Sequence, residues 1–289
     1  MNDYDLTILD NEHHPYRPLS ALKKESLPHN PDDSVRMGML TYEGELHYHP
    51  VRMAFRMLGF WRSLQETGDQ DFVVGIDHIL DKLFEIGIWH GDAIFFPYSI
   101  DIYPHAGRGT GNNTMLENPW FSGMAQGQIL SVLSLMYQET SDSKYLEMAE
   151  PVFNSFFTLK SDFAPRVTYV DTAGYLWLEE YPLEEPSHVL NGFIYAMFGL
   201  YDYYVCNPDD AIRESYLKTT LTTIENHISS YRREGSISFY CLLHDYTSES
   251  YHHVHIDQLK TLSRISNNDY FQEVSFWMEE DFEVYTDGL

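Results

Sequence analysis

Cysteine is almost missing from this chain: Cys206 and Cys241 are the only two in 289 residues. Two thiols cannot build a disulfide framework, so two ordinary core cysteines are expected. Basic residues are scarce too, 18 Lys and Arg against 44 Asp and Glu, for a formal net charge of −26. A broad nucleic-acid surface needs clustered cations, so no nucleic-acid partner is expected. No apolar run approaches the length of about 18 residues that reads as a membrane helix, and no membrane partner is expected. The acidic start, Met1-Asn2-Asp3-Tyr4-Asp5, does not read as a signal peptide, which makes the cytoplasm the expected compartment. G-x-S-x-G, H-E-x-x-H, phosphate-loop and dinucleotide fingerprints are also missing.

What the chain does have is a globular composition, 43% hydrophobic with 22 tyrosines. Residues 1–48 are polar, dotted with Pro and His, and read as an extended arm with a hairpin or turn near Thr41–Leu46. From 49 to 289 the pattern is mainly helical. Val51, Ala54, Phe55, Leu58 and Trp61 share one helix face, and Phe72, Ile76, Ile79 and Leu83 share the next. Further helices are expected over about 120–138, 144–159, 186–205, 209–230, 253–265 and 268–283. A β-hairpin near 166–180 and a second short β segment at 236–246 interrupt them, and a long aromatic, Gly-rich connection covers 90–119. About four helix pairs with inserted hairpins predict a mainly α fold, an incomplete α/α barrel or toroid. Residues 189–201 are apolar nearly all round, as an inner helix of such a ring would be.

Three constellations could carry chemistry. The first is Pro119-Trp120-Phe121-Ser122-Gly123-Met124-Ala125-Gln126-Gly127-Gln128, where small residues permit close approach and Gln126 and Gln128 suit sugar hydroxyls. Tight helix packing is the simpler reading of the same residues. The second is Glu179-Glu180-Tyr181-Pro182, a carboxylate beside a phenol at the end of a strand. The third joins Tyr240 to Tyr251-His252-His253-Val254-His255. Its three histidines lack a standard zinc spacing, so no metal is expected there.

These blocks, with Val189-Leu190-Asn191-Gly192-Phe193 and His255-Ile256-Asp257-Gln258-Leu259, occur in an order that resembles the C-terminal catalytic domain of the D-glucuronyl C5-epimerases. The resemblance covers about 115–265. It implies an isomerase that converts D-glucuronate to L-iduronate within a heparosan-like polysaccharide by removing the C5 proton and returning it from the opposite face. It also implies an incomplete α/α barrel, an acidic polysaccharide as partner, a homodimer, and no cofactor. Glu180, Tyr181 and Tyr251 match the family's acid/base residues and Tyr240 another active-site tyrosine. Trp120, Gln126, Gln128 and Asn191 are expected to contact substrate, as are Arg108, His244, His252 and His255. One position departs from the family pattern. Three residues after Tyr240, where the family carries an arginine suited to a substrate carboxylate, this chain has Leu243. Arg108, Arg232, Arg233 or the histidines at 252–253 are the candidate replacements. A uronan lyase or hydrolase on a similar toroid, or a non-catalytic glycan-binding protein, would be compatible with the same aromatic cleft.

A charge of −26 repels itself within the compact state, and salt screens that repulsion. The thermal midpoint should therefore rise by several degrees between low and molar NaCl; a midpoint indifferent to salt in a melting series would contradict this.

Overall fold

The computed structural model describes residues 2–106, 109, 114–159 and 165–288. Its frame is four helix pairs. They are α1 (Pro50–Thr67) with α2 (Asp71–Ile86), α3 (Gly123–Thr140) with α4 (Lys144–Asn154), α5 (Leu190–Val205) with α6 (Ala211–His227), and α7 (Glu249–Ser266) with α8 (Asp269–Asp287). The members α1, α3, α5 and α7 pack on one another in series, while α7 and α1 make no comparable contact, so the ring stays open. This is the incomplete α/α barrel expected from the helix rhythm. Burial follows from composition. α3 is buried continuously from Gly123 to Met136 and α5 nearly so from Leu190 to Tyr204, whereas α2 and α8 bury only one face.

The approach of α3 to α5 is unusually close, and two glycines make it so. A Cβ on Gly127 would strike the backbone of Ala196, and one on Gly199 would strike the carbonyl oxygen of Gly127. The packing reading of the small residues near Gly127 is therefore the one the fold adopts.

Short antiparallel hairpins decorate the rim. β1 (Met39–Tyr42) pairs with β2 (Glu45–Tyr48), and β3 (Ile88–His90) with β4 (Ala93–Phe95). β5 (Pro97–Tyr98) pairs with β6 (Trp120–Phe121), and β7 (Thr168–Val170) with β8 (Leu176–Leu178). The connection expected over 90–119 is thus partly built from strands. Residues 236–246 form no hairpin; single bridges join Cys241 to Val189 and Phe239 to Thr247. α4 stops at Asn154 and α5 starts only at Leu190, both shorter than expected. α7 begins at Glu249, four residues earlier than expected, which puts Tyr251 and His255 on one face.

The arm lies across the open ring. Asn2 and Tyr4 bond α6 at Thr222 and Glu225, and the Thr7 amide donates to Ile265 of α7. The Leu9 amide donates to the Tyr201 hydroxyl, and His14 pairs with the buried Asp202 of α5 at 2.8 Å. Leu22 then exchanges hydrogen bonds with Ser63 of α1, and His78 of α2 meets the Pro28 carbonyl. Among the described residues no helix is long and apolar enough to cross a membrane.

Replacing Gly199 with Ala forces the α3 and α5 backbones apart. Urea melts should show a loss of about 3 kcal/mol or more. Gly288→Ala, where a Cβ meets only ordinary contacts near 3.6 Å, should stay within about 0.5 kcal/mol.

Candidate active site

The site begins with the β7–β8 hairpin. Asp171 holds its turn, accepting from the Ala173 and Tyr175 amides and from the Trp177 indole. Beyond β8, the Glu179 amide donates to the Val167 carbonyl, and the Glu179 carbonyl accepts from the Gly123 amide at 2.7 Å. A Cβ on Gly123 would stand 2.8 Å from that carbonyl, so the strand end can lie against the first turn of α3 only because residue 123 is glycine. Glu179 itself is tied down, its carboxylate bonded to the His188 ring at 2.6 Å and to the His188 amide. The next residue, Glu180, is pressed by its carboxylate against Gly192 in the first turn of α5.

Around Glu180 stand phenols. The Tyr240 hydroxyl donates to its Oε2 at 3.4 Å, and Tyr181 also bonds it. The Tyr240 ring packs on Tyr251 with centroids 4.6 Å apart. Tyr240 is held by its backbone: its amide donates to the Tyr246 carbonyl and its carbonyl accepts from Leu190. Trp120 stacks on Tyr98 at 3.9 Å, anchored by its indole on the Ile100 carbonyl, and tilts against Tyr181. A cleft of about 160 Å³ opens over Glu180 and Tyr181, walled by His49, Tyr98, Trp120 and Ser122. His49 and Ser122 are the N-caps of α1 and α3, each accepting a hydrogen bond from its helix's first turn. With the first turns of α5 and α7 contributing Gly192 and Tyr251, all four inner helices point their N-terminal, positive dipole ends at the same side.

Burial pushes the Glu180 carboxyl up to about 7, against the opposing pull of hydrogen bonds from Tyr181 and Tyr240. Burial, reinforced by the nearby Glu180 charge, also drives the Tyr181 and Tyr240 phenols well above their ordinary value. These two tyrosines are therefore hydrogen-bond donors near neutral pH. The titrating group among them is Glu180.

The structure brings together Glu180, Tyr181, Tyr240, Tyr251 and Trp120 as the sequence implies. It puts several other expected contacts elsewhere. Gln126 is fully buried in the frame, its amide nitrogen donating to Ile94 and Ser155 and its oxygen accepting from the Phe96 amide, so it fastens β4 and not a sugar. His252 is spent on Ser238 and the Met278 carbonyl, and His255 on the Ser238 hydroxyl; both are fully buried. Gln128 and Asn191 are also buried, the Asn191 carbonyl accepting from Gln258. Of the carboxylate partners considered, Arg108 lies outside the described residues. Arg232 is locked in a bidentate pair with Asp281, Arg233 lies over the Phe239 ring, and His253 packs on Phe282. Two residues escaped the sequence reading: His105, whose ring stacks 4.2 Å from His244, and Cys241, whose Sγ lies 3.4 Å from His244 Nδ1. The Cys-x-x-His spacing of 241 and 244 was the available signal.

Residues 99–279 match a family described as the D-glucuronyl C5-epimerase C-terminus. The D-glucuronyl C5-epimerase of Caenorhabditis elegans is 42% identical over 83 residues, 29% of this chain and 13% of that protein. An uncharacterized protein of Methanocaldococcus jannaschii is 28% identical over 167 residues, 57% of this chain and 53% of that protein. The chain thus spans only part of the length of either relative. Among solved structures, the cellobiose 2-epimerase of Bacillus thermoamylovorans superposes with a TM-score of 0.56 at 10% identity, covering 93% of this chain and 68% of that one. A D-mannose isomerase gives 0.55 at 10% identity, covering 93% and 66%. At such identities the likeness is one of fold.

A carboxyl raised to about 7 holds a proton in the folded chain that the unfolded chain has already released. Stability therefore falls as pH climbs from about 4.5 through about 7, and the cost is complete above that. At about 1.4 kcal/mol per pKa unit, Glu180→Gln should stabilise the protein by about 3 kcal/mol above pH 8 and by almost nothing below pH 4.5. Urea denaturation across that range checks it.

Proposed function

The chain belongs to the D-glucuronyl C5-epimerase C-terminal family, and from that premise we propose that it is a carbohydrate epimerase that inverts C5 of a uronate. The finer assignment is D-glucuronate to L-iduronate within a heparosan-like acidic polysaccharide. The observation that carries this reading is the buried Glu180 carboxyl, hydrogen-bonded by Tyr240 and Tyr181, with Tyr251 packed on Tyr240. A C5 proton is weakly acidic, so its removal needs a base that is ionised at neutral pH yet still basic, which Glu180 supplies.

In the forward direction the Glu180 carboxylate takes the C5 proton. The electron pair delocalises into the C6 carboxyl group, and the Tyr251 phenol delivers a proton to the opposite face of the ring. Glu180 is then protonated and Tyr251 ionised. Tyr240, bonded to the first and packed on the second, is placed to return the proton between them. Tyr181 donates to Glu180 and holds it in position. The four converging helix N-termini favour an anionic ring. The cleft, below the ~300–1,000 Å³ of a drug-sized pocket, suits one sugar ring of a polymer whose neighbours remain outside.

Incubation with heparosan in D2O tests the reading. Deuterium should enter at C5 together with iduronate signals in the NMR spectrum. Tyr251→Phe and Glu180→Gln should each slow exchange by about 100-fold or more. Undiminished exchange by Tyr251→Phe would remove the two-face assignment, and an unsaturated uronate product would make the protein a lyase. Because the base must be ionised, forward exchange should rise about tenfold per pH unit below about 7 and level off above it.

A further inference from the structure

We propose that His105, Cys241 and His244 form a zinc-class metal site beside the proton-transfer groups, and that its open coordination position takes the C6 carboxylate of the substrate. The second half rests on the proposed function; the first stands on the cluster itself.

One ligand atom from each of the three residues lies within 4.8 Å of the other two, and all three residues are buried. The 3.4 Å from Cys241 Sγ to His244 Nδ1 is close to the separation of about 3.5 Å between two ligands on one tetrahedral zinc, given Zn–S near 2.3 Å and Zn–N near 2.0 Å. Two imidazoles and a thiolate suit zinc and its neighbours, whereas magnesium and calcium demand oxygen. Three protein ligands are also the number that leaves a position for substrate or water.

The scaffold is firm where it needs to be. Cys241 and His244 share a short loop stitched to the segment before α5, with Leu242 donating to the Ser187 carbonyl and Cys241 bridged to Val189. His105 reaches in from the connection between β5 and β6, so a metal would join two rim segments that no regular element joins.

The placement also meets a chemical need. Delocalising a carbanion into a carboxylate requires that the carboxylate's charge be neutralised. Two described arginines are otherwise engaged: Arg166 binds the Pro182 and Leu183 carbonyls, and Arg52 the Met39 carbonyl. Leu243 supplies no charge. The His105 ring, in contrast, packs edge-on against Tyr181 at 5.6 Å and near Tyr240 at 6.0 Å. A cation held there can neutralise the carboxylate as a Lewis acid without moving a proton.

Cobalt(II) titration of chelator-treated full-length protein tests the site without any substrate. The expected result is one tightly bound cobalt per chain, with tetrahedral visible bands and a thiolate-to-cobalt band in the near ultraviolet. Cys241→Ser should abolish the thiolate band, and His105→Ala should weaken affinity at least about tenfold, with unchanged circular dichroism. The absence of stoichiometric binding, or a thiolate band that survives in Cys241→Ser, would overturn the site and leave a buried thiol–imidazole contact. C5 exchange on heparosan should fall at least tenfold on chelation and recover with zinc; exchange indifferent to chelation would overturn the carboxylate role. Fully loaded protein that exchanges no uronan would instead count against the epimerase reading, and the cobalt spectrum is read independently of it.

Discussion

The contact between α3 and α5 is the constraint on which the rest depends. With no side chain at Gly127 or Gly199, the two central helices meet backbone to backbone. That proximity brings their first turns together, and there Gly123 and Gly192 leave a gap the width of an extended strand. Glu179 and Glu180 occupy it. Four glycines on two helices thus set the depth at which one carboxyl is buried, and the depth sets its proton affinity. The chemistry of the site is an outcome of helix packing.

Surface and interior use charge differently. The chain is strongly acidic overall, which would repel a polyanion at long range, while the cleft is walled by the N-caps of α1 and α3, their positive dipole ends. Fixed peptide dipoles give a local attraction that depends on no mobile basic side chain.

Much of this was legible in the sequence because helical periodicity is a local signal. The one-faced pattern of Phe72 to Leu83 and the all-round apolar run at 189–201 correspond to an outer and an inner helix, and the order Glu180-Tyr181, Tyr240, Tyr251 pointed by resemblance to residues that the fold does bring together. The misreadings have a common cause. Gln126 looks like a hydroxyl partner on its own helix, yet its role is set by Ile94 on distant β4 and by Phe96 just beyond that strand. Residues 236–246 alternate like a strand, but their partners are single bridges to 189 and 247 and so no hairpin forms. His105, Cys241 and His244 meet only in three dimensions, and a Cys-x-x-His pair alone does not announce its third member. Polar residues inside a fold take their meaning from tertiary neighbours, which a window of sequence does not contain.

The arm that stitches the open ring has a consequence for how the chain reaches its native state. Its anchors on Thr222, Glu225 and Ile265 belong to α6 and α7, elements translated after almost everything else, while Ser63 and His78 belong to the first pair. During synthesis the arm emerges before the helix pairs, but its leading residues stay undocked until α6 and α7 exist. The helix pairs can form one after another from local contacts, whereas docking of the arm onto α6 and α7 is the step of longest sequence separation and the natural last event. Tyr4, buried in the finished protein by its bond to Glu225 of α6, is exposed until then, whereas Tyr16 can already pack on Tyr195 and Phe198 once α5 is made.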